Sequence, residues 1–199
     1  MDLVRRGAPD ARRVALLPAA WNPPTLAHLA LAEAALEFAD ETLLLLPRVF
    51  PHKEFEYAGF VTRLGWLRRI ATKRAYLGVG VPERGLFLEM ARALRAADPH
   101  IEQVSIVCGH DAAERFLNWP YDREPDAVEQ LREFSLLVAP RVTSFTVPEP
   151  LSDSIHLLSL DPELQAVSST GIRQRIAHGE PWRHLVPEEI AHEVEGAYR

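Results

Sequence analysis

The feature that most constrains this chain is the stretch 14–31, Val-Ala-Leu-Leu-Pro-Ala-Ala-Trp-Asn-Pro-Pro-Thr-Leu-Ala-His-Leu-Ala-Leu. An apolar run of buried-strand length meets a proline-rich turn. A helix-forming run follows at once, with Thr25 at the N-cap position and His28 in the first turn. A helix start carries backbone N–H groups without intrahelical partners, and these favour anions. Thr25 and His28 are three residues apart on one face, so they would flank a phosphate bound there. A capped helix with a structural histidine is the plainer reading of the same residues.

The rest of the chain repeats the strand-then-helix pattern. Leu29, Ala32 and Leu36 fall at helical spacing and predict a helix over 25–39, and Thr42-Leu43-Leu44-Leu45-Leu46 is the continuous apolar run of a parallel strand covered on both faces. Residues 60–74 predict a helix with Leu64, Leu67 and Ile70 inward and Arg63, Arg68, Arg69, Lys73 and Arg74 mostly outward, Arg68, Arg69, Lys73 and Arg74 forming a solvated face. A strand over 76–81 is interrupted by Gly78 and Gly80, and a helix follows over 84–97. Val104-Ser105-Ile106-Val107-Cys108 is a second buried strand, ending in Gly109-His110-Asp111 where open α/β sheets hold ligands. A short helix carrying Phe116 and Trp119, a proline-bearing loop at 120–126, and strands within 133–141 and 155–160 come next. Ser168-Ser169-Thr170 opens a helix running to about His178, where Gly179 stops it, and Pro187 opens the last one. Such alternation predicts an α/β fold, an open and mainly parallel sheet with helices on both faces.

A chain of 199 residues with 47% hydrophobic content can bury a substantial core, and we read 1–199 as one domain, with the sheet in about 13–160 and a helical part in about 168–199. Cys108, the single cysteine, has no intramolecular partner, and the charged stretch 1–13 lacks the apolar region of a signal peptide, so a cytoplasmic location is expected. No apolar run approaches the roughly 20 residues that span a bilayer. The net charge of −6 argues against a nucleic-acid-coating surface but leaves room for a small phosphorylated ligand held by a few aimed cations.

Val167-Ser168-Ser169-Thr170-Gly171-Ile172-Arg173 is a second anion-competent helix start. Ser169 and Arg173 are i and i+4, and Thr170 and Arg173 are i and i+3, so hydroxyls, N–H groups and a guanidinium can converge on one anion. A cap with a surface arginine is the alternative. Two such starts in one α/β chain point to a polyphosphate ligand. The eight histidines show no zinc-ligand spacing, and Gly78-Val79-Gly80 is too short for a dinucleotide fingerprint.

The pair Asn-Pro-x-Thr-x-x-His at 22–28 and Ser-Ser-Thr-x-Ile-Arg at 168–173 resembles the nucleotidyltransferase superfamily with the HxGH or TxxH signature, and within it the nicotinate or nicotinamide mononucleotide adenylyltransferases. Pro51-His52-Lys53, Gly109-His110-Asp111 with Trp119, and the tail from Arg173 through Leu185-Val186-Pro187-Glu188-Glu189-Ile190 fit in the family's order. The resemblance implies a Rossmann-like sheet on which ATP and a pyridine mononucleotide give a dinucleotide and pyrophosphate, with Mg²⁺ bridging the triphosphate. It implies that Asn22, Thr25 and His28 meet the ATP phosphates, and that Ser169, Thr170 and Arg173 hold the leaving pyrophosphate. Lys53 would add a phosphate contact, Asp111 would bind the adenosine ribose, Trp119 would stack on the pyridine ring, and His110 would touch the acceptor. His28, Thr25 and Arg173 would carry the catalysis. A paralogue using CTP or another phosphorylated acceptor, and a non-catalytic nucleotide binder, are the alternatives, and a homo-oligomer is compatible with each. Where the family commonly has glycines, this chain has Pro18-Ala19-Ala20, with Trp21 for phenylalanine and Ala27 for the signature glycine. Proline lacks an N–H and alanine disfavours positive φ, so a turn of different shape is expected.

Overall fold

The computed structural model describes residues 1–49, 58–121, 125–139 and 145–198. Its strands are β1 (Asp2–Arg5), β2 (Arg13–Pro18), β3 (Glu41–Leu45), β4 (Leu77–Val81), β5 (Gln103–Gly109), β6 (Ser135–Ala139) and β7 (Ile155–Leu157). Its helices are α1 (Leu26–Ala34), α2 (Phe60–Thr72), α3 (Phe87–Ala97), α4 (His110–Leu117), α5 (Ala127–Gln130), α6 (Pro162–Gln165), α7 (Ser169–His178) and α8 (Ala191–Ala197).

The strands form one sheet in the order β1-β4-β3-β2-β5-β6-β7. All neighbours are parallel except β1, which pairs antiparallel with β4. Counting only the parallel strands gives the doubly wound order 3-2-1-4-5-6, in which chain direction across the sheet reverses between β2 and β5. The register there pairs Leu16 with Ile106, so the loops leaving β2 and β5 emerge side by side at the sheet's carboxyl edge.

Both faces of the sheet are covered, which is why its strands read as unbroken apolar runs. Successive residues serve opposite layers. Ala15, Leu17, Leu44 and Leu46 pack with Leu29 of α1, Leu67 and Ile70 of α2 and Val194 of α8. Val14, Leu16, Leu43 and Leu45 pack with Met90 and Leu94 of α3 and Phe116 of α4. Each fully buried leucine contributes about 2 kcal/mol of burial relative to exposure.

The glycines of β4 have a packing reason. A Cβ at Gly78 would lie 2.2 Å from Leu43 Cδ2 and 2.8 Å from the Arg5 carbonyl, and one at Gly80 would lie 2.7 Å from Leu45 Cδ2. The strand expected over 76–81 therefore forms because its glycines admit the leucines of β3. The sheet also begins earlier than the sequence suggests. β1 lies outside the expected 13–160 core, and its polar edge-strand pattern carries no apolar run to mark it. It is secured where Arg6 Nε and the Gly7 N–H donate to the buried Glu41 carboxylate at 2.6 and 2.5 Å. Among the described residues, no helix is long and apolar enough to cross a membrane.

Candidate active site at the sheet switch point

The turn from β2 into α1 covers residues 19–25. Thr25 caps α1 through a reciprocal pair: its hydroxyl accepts from the His28 N–H, and the His28 ring accepts from the Thr25 N–H. The Thr25 N–H lies 3.1 Å from His28 Nδ1, and the Thr25 hydroxyl lies 2.7 Å from the same nitrogen. An amide N–H can only donate, so Nδ1 is the unprotonated nitrogen and the hydroxyl donates to it as well. The proton of the neutral ring then sits on Nε2, leaving that nitrogen as a hydrogen-bond donor. Burial lowers the His28 pKa to about 4 from the usual 6.5, so the ring is neutral at pH 7. Trp21 supplies part of that burial, its ring centroid lying 4.9 Å from the imidazole.

Thr25 is fully buried. Its hydroxyl is engaged by the cap and by the His28 ring, and so fixes the orientation of that ring. The expected difficulty with alanine also resolves. Ala19 and Ala20 do not take positive φ; Trp21 does, at φ 54°. A bulky residue there is uncommon, and it is held by burial and by a hydrogen bond from Trp21 Nε1 to the Leu45 carbonyl at 2.7 Å. The Asn22–Pro23 peptide bond is cis.

The second anion-competent start meets the first directly. Arg173 Nη1 donates to the Asn22 carbonyl at 2.6 Å, and Ser169 Oγ donates to the Pro23 carbonyl at 2.7 Å, across 151 and 146 residues of sequence. Arg173 Nη2 also donates to Thr170 Oγ1 at 3.2 Å. Ser168, not Ser169, is the N-cap of α7, accepting from the Gly171 N–H at 3.1 Å. Ser169 thus fastens α7 to the turn. Arg173 does the same with one arm of its guanidinium, and Thr170 stays exposed at the helix start.

A third element supplies a residue that sequence patterning misassigned. Arg63 of α2 was expected among the residues mostly outward, but it is 5% exposed and its Nη1 donates to the Ala20 carbonyl at 2.8 Å. Burial lowers its pKa, yet an arginine remains charged. Arg63 and Arg173 therefore bring two guanidinium charges against the carbonyls of one turn, which makes this corner of an acidic protein locally positive. Arg68 is exposed as expected. Arg74 is half-buried and paired with Glu189 at 2.7 Å.

At the neighbouring carboxyl end of β5, α4 begins at His110. His110 is buried, with its ring 5.6 Å edge-on from Phe145, while Asp111 is exposed in the first turn. Trp119 follows α4 and is 49% exposed, so it is not a core residue. Lys53, with the Pro51-His52 that precedes it, lies outside the described residues. Cys108 is buried, its thiol pushed up to about 12, and takes no part.

A sequence profile described as cytidylyltransferase-like matches residues 16–175, a span running from β2 to α7 and so containing both halves of the site. A protein of Anaeromyxobacter dehalogenans named probable nicotinate-nucleotide adenylyltransferase is 32% identical, over 94% of this chain and 97% of its own. The chain belongs to this nucleotidyltransferase family. A Thermotoga maritima protein of the same name is 27% identical over 94% of this chain and 92% of its own. The fold is shared with the Plasmodium falciparum nicotinic acid mononucleotide adenylyltransferase solved with NaAD, at TM-score 0.65 and 11% identity, covering 94% of this chain and 98% of that one. The protein is thus an adenylyltransferase-type enzyme on a Rossmann-like sheet, and the matched span contains the two helix starts that the hydrogen bonds bring together.

Proposed function

We propose that this enzyme transfers the adenylyl group of ATP to the phosphate of nicotinate mononucleotide. The observation that carries the reading is the direct joining of the α7 start to the β2–α1 turn by Arg173 and Ser169, at the switch point of the sheet. The names of the full-length relatives supply the acceptor class.

In the reaction a phosphate oxygen of the mononucleotide attacks the α-phosphorus of ATP. The bond from that phosphorus to the α–β bridging oxygen breaks, and pyrophosphate leaves with the bond's electrons. The nucleophile is already an anion, so catalysis consists of alignment and of neutralising charge that builds on the phosphoryl oxygens. A neutral His28 with its proton on Nε2 suits that role: it donates to a phosphoryl oxygen without being consumed as an acid. The N–H groups of the α1 and α7 starts and the free edge of the α7 turn at Thr170 would receive the phosphates, with Arg173 beside the leaving pyrophosphate and Asn22 beside the triphosphate. Lys53 would add a cation, Asp111 would accept from the adenosine ribose, Trp119 would stack on the pyridine ring, and His110 would border it.

The donors gathered here are guanidinium, imidazole and amide N–H, a set made for anionic oxygens and not for a metal. That fits a Mg²⁺ whose ligands are the triphosphate and water, and when bound it would further neutralise the phosphates.

The test is to incubate the purified protein with ATP, Mg²⁺ and nicotinate mononucleotide and to measure pyrophosphate and dinucleotide together. Equimolar release of both supports the reading. Turnover only with CTP or with a different phosphorylated acceptor, or ATP binding without any pyrophosphate, overturns it.

A further inference from the structure

Among the donors that end on residues 20–23, Arg63 and Arg173 are cations and Ser169 belongs to the α7 start, whereas one comes from elsewhere. Tyr198 follows α8 and lies beyond the 16–175 span that the family profile matches, yet its hydroxyl donates to Asn22 Oδ1 at 2.5 Å, across 176 residues. We propose that Tyr198 is a positioning residue for adenylyl transfer, acting through the Asn22 side chain to hold the β2–α1 turn in register with His28.

The geometry argues for a built contact. The Asn22 carbonyl is held by Arg173, the Pro23 carbonyl by Ser169 and the Ala20 carbonyl by Arg63, so the turn's backbone is fixed on both sides of Asn22. The Tyr198 hydroxyl donates to the Asn22 amide oxygen, and so favours one orientation of its oxygen and its N–H₂ group. Asn22 is itself buried, so a wrongly turned amide would cost the hydrogen bond of a desolvated polar group. Tyr198 is also carried to the turn by a braced element. Arg69 of α2 pairs with Glu193 of α8, Arg74 pairs with Glu189 at 2.7 Å, and the Tyr198 ring lies 6.2 Å from the buried Trp66. α2 and α8 therefore converge on the turn together, one through Arg63 and the other through Tyr198. Burial raises the Tyr198 pKa well above the usual tyrosine value, so the phenol keeps its proton and stays a donor throughout the working pH range.

The proposal rests on the turn being the nucleotide-phosphate site, and two readouts separate its failure from the failure of that reading. Tyr198→Phe keeps the ring against Trp66 and removes only the hydroxyl. We expect kcat to fall about tenfold, the effect of one lost positioning hydrogen bond, with KM for ATP and for the mononucleotide changing much less. A merely structural role would lower the unfolding temperature and leave kcat of the folded enzyme alone. Amide hydrogen exchange without substrates is the second readout: the peptide covering 19–25 exchanges faster in Tyr198→Phe than in wild type, while β5 does not. Unchanged exchange in 19–25, or wild-type kcat, overturns the proposal. If wild type turns over no mononucleotide at all, the functional reading has failed and exchange alone decides Tyr198. If Tyr198→Phe does not fold, Asn22→Leu removes the acceptor and Asn22→Asp keeps one. Faster exchange in Asn22→Leu but not in Asn22→Asp supports the clamp, and equal exchange in the two overturns it.

Discussion

Burial lowers the folded-state pKa of His28 to about 4, whereas an unfolded histidine titrates near 6.5. Between those values the unfolded chain binds more protons than the folded one, so stability rises with pH through the window. The contribution of the neutral ring is complete above about pH 6.5 and is lost as pH falls toward 4. Wild type should therefore lose thermal stability relative to His28→Asn on acidification from pH 7.5 to about 5, and a constant difference between the two melting curves would contradict the burial argument. In turnover, His28→Ala should lower kcat by roughly 10²-fold, as loss of a transition-state donor does, with circular dichroism confirming the fold. His28 and Thr25 were legible as a pair because the capping pattern is local. Arg63 was not. It shares the i, i+4, i+7 face with the buried Leu67 and Ile70, but a charge on an apolar face is assigned outward because burying it alone is costly. What makes it tolerable is the Ala20 carbonyl, 43 residues upstream, which no periodicity reveals.

Elements succeed or fail here on how closely backbones approach. The β3 leucines lie so near β4 that Gly78→Ala should destabilise by about 2–3 kcal/mol, the upper part of the roughly 1–3 kcal/mol range for overpacking a core, because the added Cβ meets backbone at 2.8 Å as well as a side chain at 2.2 Å. Denaturant unfolding at unchanged m-value would measure it, and a loss below about 0.5 kcal/mol would show that β3 can yield. At the far end of α7, Gly179 sits at φ 70° and closes the helix with bonds from its own N–H to Ile176 and from the Glu180 N–H to Arg175. Gly179→Ala should cost only about 1 kcal/mol, since the space around it is open and backbone strain alone is paid. The parallel strands were readable for the same reason that they are buried: both faces are apolar, so the run is continuous. The edge strand β1 and the short helices α5 and α6 were not, since a polar edge and a four-residue helix leave no period to detect.

At the scale of the molecule, the proposed function requires a protein of net charge −6 to attract a polyanion. Distant surface charges are screened within about 8–10 Å at physiological salt, so Arg63, Arg173 and two helix starts at one corner outweigh carboxylates spread over the surface. The same corner joins chain ends that are far apart in sequence, because α7 and Tyr198 both return to a turn that leaves the second strand. ATP binding should consequently stabilise the whole fold rather than one loop, by about 2.7 kcal/mol at a ligand concentration 100 times Kd. We expect ATP to raise the unfolding temperature of wild type and to do so much less in Arg173→Ala, which lacks both the cation and the tie to Asn22. Raising ionic strength from about 0.05 to 0.5 M should shrink the wild-type shift, since salt also screens the guanidinium charges of that corner. Arg92→Ala serves as the control: Arg92 is an exposed side chain of α3 paired with Glu133 at 2.6 Å, on the opposite face of the sheet from α1, and its loss should leave the ATP shift intact. Equal shifts in wild type and Arg173→Ala would mean that the nucleotide binds elsewhere, and the joining of the two helix starts would then be a matter of folding alone.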